Sequence, residues 1–68
     1  MIMAVVKVIE VVGTSGESWE DAARNAFIGA KKTLHGISGV EVVKQTATVK
    51  DGEINEYRAT VKVAFKVD

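Results

Sequence analysis

Sixty-eight residues, nine basic and nine acidic, carry no formal net charge. That balance offers no electrostatic handle for nucleic acid or for an anionic membrane surface, and the lack of cysteine excludes disulfides and thiolate metal sites. The length accommodates one domain, spanning residues 1–68.

Size alone makes a second expectation. Compact folding of such a chain buries roughly 6,400 Å², from the scaling of area with mass. With about 60% of it apolar, at ~25 cal/mol/Å², the gain is on the order of 96 kcal/mol. Ordering the chain at ~1.5 kcal/mol per residue costs about 100 kcal/mol. The two cancel, so association with further copies is the expected extra source of stability.

The first element, residues 4–12 (AVVKVIEVV), is rich in β-branched side chains and reads as a strand. Val5, Ile9 and Val11 fall on one face and Val6, Val8 and Val12 on the other, the pattern of a strand covered on both sides. MIMAVVKVIEVVG alternates and no small-residue cleavage site follows it, so it reads as this strand and not as a signal peptide. No apolar run approaches the ~18 residues of a membrane span. The expected location is the cytoplasm.

A helix follows. Trp19, Ala22, Ala23, Ala26, Phe27, Ala30, Leu34 and Ile37 keep the i, i+3, i+4, i+7 rhythm, which predicts about 18 helical residues. Ser18 suits the N-cap, with Asp21 three residues on in the manner of a capping box. Gly36 suits the C-terminal stop. The preceding stretch, GTSGESW, has neither the GxxxxGK[ST] of a phosphate loop nor GxGxxG, and is expected to be a turn and cap. His35, the lone histidine, suits a place beside the helix C-terminus. Ile28 and Gly29 interrupt the polar side of the helix, which suits either simple tolerance or a second helix packing there.

Residues 39–50 (GVEVVKQTATVK) predict a second strand, with a bulge near Val42-Val43 to reconcile its broken alternation. Asp51-Gly52 predicts a tight hairpin. Residues 53–67 alternate cleanly, Tyr57, Ala59, Val61, Val63, Phe65 and Val67 against Glu56, Arg58, Thr60, Lys62 and Lys66. The order is β-α-β-β, an α+β fold whose simplest antiparallel sheet runs 1-3-2. One helix is too short to roof such strands, so the rest of the apolar face is expected to curl or to meet another subunit.

Along nearly its whole length the chain resembles the dodecins. KVIEVVGTSGESWEDAARNA, KTLHGISGVEVVKQ and DGEINEYRATVKVAFKVD recur in the family's order and spacing. The most specific pieces are VGTSxES, EVVxQ and EYxxTxKVxF. The resemblance implies a long sheet curled around one helix and a hollow homododecamer that stores or buffers flavin (riboflavin, FMN or FAD) without catalysis. It also implies coenzyme A as a ligand of some members and calcium for one branch.

This sequence departs from the flavin-binding pattern at three positions. Gly39 stands where those members carry the tryptophan that stacks on the isoalloxazine ring, which places the chain nearer the tryptophan-less, calcium-binding branch. Arg58 stands where they carry a glutamine, and Lys44 where some carry an acid. Aromatic stacking contributes about 1 kcal/mol per pair beyond burial, so flavin is expected to bind weakly. The expected ligand site is Gly39, Lys44, Gln45 and Arg58, made basic by its two cations and thus better suited to phosphate-bearing ligands than to riboflavin. Glu17, Glu20 and Asp21 are the candidate ligands for a divalent cation, although they lack the alternating oxygen donors of a calcium loop. With no nucleophile–base pair in view, the chain is not expected to be an enzyme. Its expected partners are its own copies and a small molecule, with neither nucleic acid nor membrane.

Overall fold

The computed structural model describes residues 5–67. It contains β1 (Val5–Ser15), α1 (Trp19–Lys31), β2 (Ile37–Lys50) and β3 (Glu53–Val67). The sheet order is β1-β3-β2, and both pairs are antiparallel, as expected. Ala4, where the first strand was expected to begin, lies outside the described residues.

β1 runs three residues past its expected end, because Gly13, Thr14 and Ser15 stay in register with Ala59, Arg58 and Tyr57. The strand needs a glycine there. A Cβ on Gly13 would collide with the carbonyl oxygen of Ala22 and lie 2.6 Å from the backbone nitrogen of Ala26. The helix therefore sits directly on the strand backbone, and it does so through Ala22, Ala26 and Ala30, all buried.

α1 is shorter than the periodicity implies, 13 residues instead of about 18. Leu34 and Ile37 continue the rhythm only by coincidence of spacing. The last turn closes on Ala30, whose carbonyl accepts from Thr33 N (3.2 Å) and Leu34 N (3.0 Å). Gly36 then takes φ +70, which reverses the chain at low steric cost. Ile37 is already in β2, opposite Phe65. Strand pairing has won over helix propagation at that point.

The helix start corrects the capping box in one half. Ser18 Oγ accepts from Asp21 N at 3.0 Å, as a cap should. The Asp21 carboxylate does not reach back to Ser18 N. Its Oδ2 accepts from Ser15 Oγ (2.7 Å), and that hydroxyl in turn accepts from Glu17 N (2.9 Å) and Ser18 N (3.4 Å). The buried Ser15 thus joins the strand end to the helix start.

The bulge expected near Val42-Val43 is present as a register shift between Val42 and Lys44, and further shifts occur at Ile37/Gly39 and Thr48/Val49. Asp51 (φ 54) and Gly52 (φ 78) both occupy the left-handed region, as the two central positions of a type I′ hairpin turn require.

The core lies between α1 and the sheet: Ala26, Ala30, Val61 and Val63, flanked by Ile9, Val11, Ala23, Leu34 and Ile37. The helix packs on β1 and β3 and scarcely touches β2. Thirteen helical residues cover about 20 Å, whereas the molecule is 57 × 19 × 13 Å. Its radius of gyration is 14.3 Å, against about 11 Å for a compact chain of this length. It exposes 5129 Å², roughly 1,000 Å² more than a compact monomer of this mass. Much of that surface is aliphatic, including Val6, Val8 and Val12 on β1 and Val40, Val42 and Val43 on β2. The expectation that one helix cannot roof the sheet is met.

Candidate functional site

Directly paired strand residues share a face, so the register sorts the candidate site. Ala59, Val61 and Val63 face the helix and are fully buried. The opposite, outer face is built in rows across the three strands. One row is Val8, Ala64 and Gly39; the next is Glu10, Lys62 and Glu41; then Val12, Thr60 and Lys44; then Thr14, Arg58 and Thr46.

An open cleft of about 290 Å³ lies over the first two rows, lined by Val8, Gly39, Val40, Glu41, Lys62 and Ala64. Gly39 is the reason for part of it. Nothing lies within 4 Å of where its Cβ would stand, so the missing side chain leaves open space. The cleft has an apolar floor and one charged wall, formed by Glu41 and Lys62; Glu10, the register partner of Lys62 on β1, lies outside that lining.

Lys44 shares this face. Thr60, its partner, lies four residue steps from Ala64, the partner of Gly39, which is about 13 Å. Arg58 also shares the face but stands some 20 Å from the Gly39 row by the same spacing. Its Nε donates to Glu56 Oε1 at 2.9 Å, so its charge is already countered. Gln45 pairs with Ala59 and belongs to the helix-facing side, exposed because the helix does not reach β2. Three of the four expected ligand residues therefore share one face, and two of them, Gly39 and Lys44, lie within one small molecule's length. Val8, Glu10, Glu41, Lys62 and Ala64 were not anticipated. Their signal is the alternation of charge across three strands, which becomes readable only once the register is known.

The described residues do not fit a stacked isoalloxazine ring. The chain has four aromatic residues. Trp19 and Phe27 are on α1, and Tyr57 and Phe65 are on the helix-facing side of β3. Trp19 packs edge-on against Tyr57 with ring centroids 4.9 Å apart, and its indole N–H donates to the Thr46 carbonyl at 2.7 Å. These contacts fix the helix start to the β2–β3 hairpin and leave no ring on the outer face.

The acids at the helix start do not converge. Glu20 pairs with Arg24 (3.2 Å), Asp21 holds Ser15, and Glu17 is exposed. Among the described residues no three histidine, aspartate or glutamate side chains come together as a metal ion requires. The amides of Glu17 and Ser18 are engaged by Ser15 Oγ, so only Gly16–Ser18 form the expected turn and cap, while Gly13, Thr14 and Ser15 belong to β1. His35 is exposed just beyond the helix. No helix is long and apolar enough to cross a membrane among the described residues.

The family model for Dodecin matches residues 5–68. The chain belongs to the dodecin family. It is 37% identical over 65 residues to the "Calcium dodecin" of Mycobacterium tuberculosis, covering 96% of this chain and 92% of that one. The solved structure of that relative, described as having a novel calcium-binding site, superposes with a TM-score of 0.83, the match covering 94% of this chain and 91% of that one. The dodecin of Thermus thermophilus is 34% identical over 64 residues, covering 94% of this chain and 93% of the relative. The structure of the Streptomyces davaonensis dodecin gives a TM-score of 0.91 at 37% identity, with 96% of each chain covered. The β-α-β-β fold with its 1-3-2 sheet is thus that of solved dodecins.

Proposed function

We propose that this chain forms a non-catalytic dodecin-type shell, a homododecamer in the cytoplasm, that binds and stores a small phosphate-bearing ligand. The supporting observation is the outer-face cleft at Gly39, open where a side chain would stand, with Lys44 about 13 Å away along the strands. That span suits a flat group on the Val8–Ala64–Gly39 floor with its phosphate at Lys44. Arg58 is too distant and too well paired to serve the same molecule, so the basic site expected from Lys44 and Arg58 together contracts to Lys44. Flavin, with no ring to stack on, binds weakly, and FMN binds better than riboflavin. A longer ligand such as coenzyme A could extend toward Thr14 and Thr46.

Native mass spectrometry of freshly purified protein tests this directly, since it reports subunit number and retained ligand together. Twelve copies with a bound small molecule support the proposal. Calorimetry giving equal, submicromolar affinity for riboflavin and FMN overturns the phosphate preference.

The similarity to a calcium dodecin favours a second reading, a shell that holds a divalent cation. Among the described residues the carboxylates of one copy do not converge, so such an ion needs ligands from more than one copy, with Glu17, Glu20 and Asp21 as candidate donors. Calorimetry with calcium on the assembled protein distinguishes the two; no saturable heat removes the cation.

A further inference from the structure

The β2–β3 hairpin runs on past the helix. Trp19, at the helix start, packs at the level of Thr46 and Tyr57, and beyond it about five residues per strand, some 16 Å, project without cover from α1. The arm ends in an apolar pair, Val49 opposite Ile54, exposed by 68% and 50%. At the other end of the molecule a groove of about 290 Å³ opens between β1 and the later turns of the helix. Ile9, Val11, Ala26, Ala30 and Leu34 give it apolar walls, and Gly29, with nothing within 4 Å of where a Cβ would stand, leaves its helix side open.

We propose that the Val49–Ile54 tip of one copy seats in the β1–α1 groove of a second copy, an inference that rests on the shell described above and assigns one of its contacts. Three observations select this occupant. The groove is walled on one side by the helix, whereas the outer-face cleft is lined by strand residues alone, and the tip is a narrow projection that suits a slot between two elements. The tip carries Asp51 and Glu53 around a single lysine, Lys50, and the helix end beside the groove carries Lys31 and Lys32. Finally, the roughly 1,000 Å² of surplus exposed surface is on the scale of the ~800 Å² that each partner buries in a stable interface, which suits a second copy as the occupant.

The arm leaves from the helix N-terminal end and the groove lies toward its C-terminal end, so one copy cannot satisfy itself. The contact is head-to-tail, the kind that generates a ring when its rotation closes. It also accounts for Gly29, whose cost inside a helix has no compensation within a single copy.

The chain has no cysteine, which makes the contact testable by cross-linking. Val49→Cys and Gly29→Cys chains, each altered at an exposed position, are co-expressed and oxidised. A disulfide-linked pair on a non-reducing gel, absent from either variant alone, is the expected result. A second variant, Val49→Asp with Ile54→Asp, is expected to lose the full assembly in native mass spectrometry while keeping its helical circular dichroism. An unaltered chain that assembles, combined with no mixed cross-link and an intact Val49→Asp/Ile54→Asp assembly, overturns this contact and leaves the shell standing. An unaltered chain that is monomeric removes both.

Discussion

Gly39→Trp should raise the affinity of the protein for flavin. Nothing lies within 4 Å of the added Cβ, and the backbone of Gly39 is not in the left-handed region that would strain a side chain. The indole enters open space above Val8 and Ala64, on the face that otherwise has no ring. One face of an indole laid on an isoalloxazine removes on the order of 100 Å² from water, about 2.5 kcal/mol at ~25 cal/mol/Å². Stacking adds about 0.5–1.5 kcal/mol. The sum approaches 3–4 kcal/mol, and each ~1.4 kcal/mol is tenfold in Kd. Ordering the new side chain takes back about 0.5–1.5 kcal/mol. A gain of roughly 10-fold to 300-fold in FMN affinity remains. Calorimetry on the assembled wild-type and Gly39→Trp proteins measures it, with thermal melting as the control, since an exposed substitution should alter stability by only about 0.5 kcal/mol. An affinity within about threefold of the wild type, in a variant that assembles and melts normally, would show that the hollow at Gly39 is not where a planar ligand sits.

Other substitutions test the remaining parts of the structure. Gly13→Ala places a methyl group against the Ala22 carbonyl and 2.8 Å from Ala26 Cβ, so the helix must lift from β1; a loss of about 1–3 kcal/mol, read as a fall in denaturant midpoint, is expected. Ser15→Ala strands the Asp21 carboxylate and two backbone N–H groups and should cost about 1–3 kcal/mol in the same assay. Trp19→Phe keeps a ring beside Tyr57 but removes the bond to the Thr46 carbonyl, a loss of about 1 kcal/mol. Lys44→Ala should weaken FMN by up to about fivefold, the scale of one exposed ion pair, and leave riboflavin unchanged; equal effects on both would remove Lys44 from the phosphate.

Element order, sheet order, the Asp51-Gly52 turn and the Val42-Val43 bulge were legible because each rests on local chemistry: β-branched runs, a left-handed turn pair, a break in alternation. The helix end was not. Leu34 and Ile37 match the helical rhythm, and only the pairing of Ile37 with Phe65 assigns that residue to a strand. Likewise Ser15 carried no sign of its three hydrogen bonds, since Asp21 stood at capping-box spacing and its turn toward Ser15 depends on β1 extending to that residue. The candidate site was half legible. Gly39 could be singled out by what it lacks, but Glu41 and Lys62 became its neighbours only through the register, and Gln45 moved to the opposite face because the bulge at Val43 shifts the alternation that follows it.

The same small residues that close the core also leave the sheet open. Gly13 with Ala22, Ala26 and Ala30 lets the helix settle onto the β1 backbone and the Val61–Val63 stripe of β3. A helix drawn that far toward β1 cannot also cover β2, and Val40 and Val42 stay about half exposed although they pair with the two fully buried valines of β3. Larger residues along that helix face would hold the helix further out, nearer the middle of the sheet, at the cost of the tight contact. The fold thus concentrates its close packing on two strands and leaves the third without cover from the helix. Gly13→Ala consequently bears on assembly as well as on stability: a helix that lifts off β1 alters the groove between them, so the shell should weaken along with the subunit.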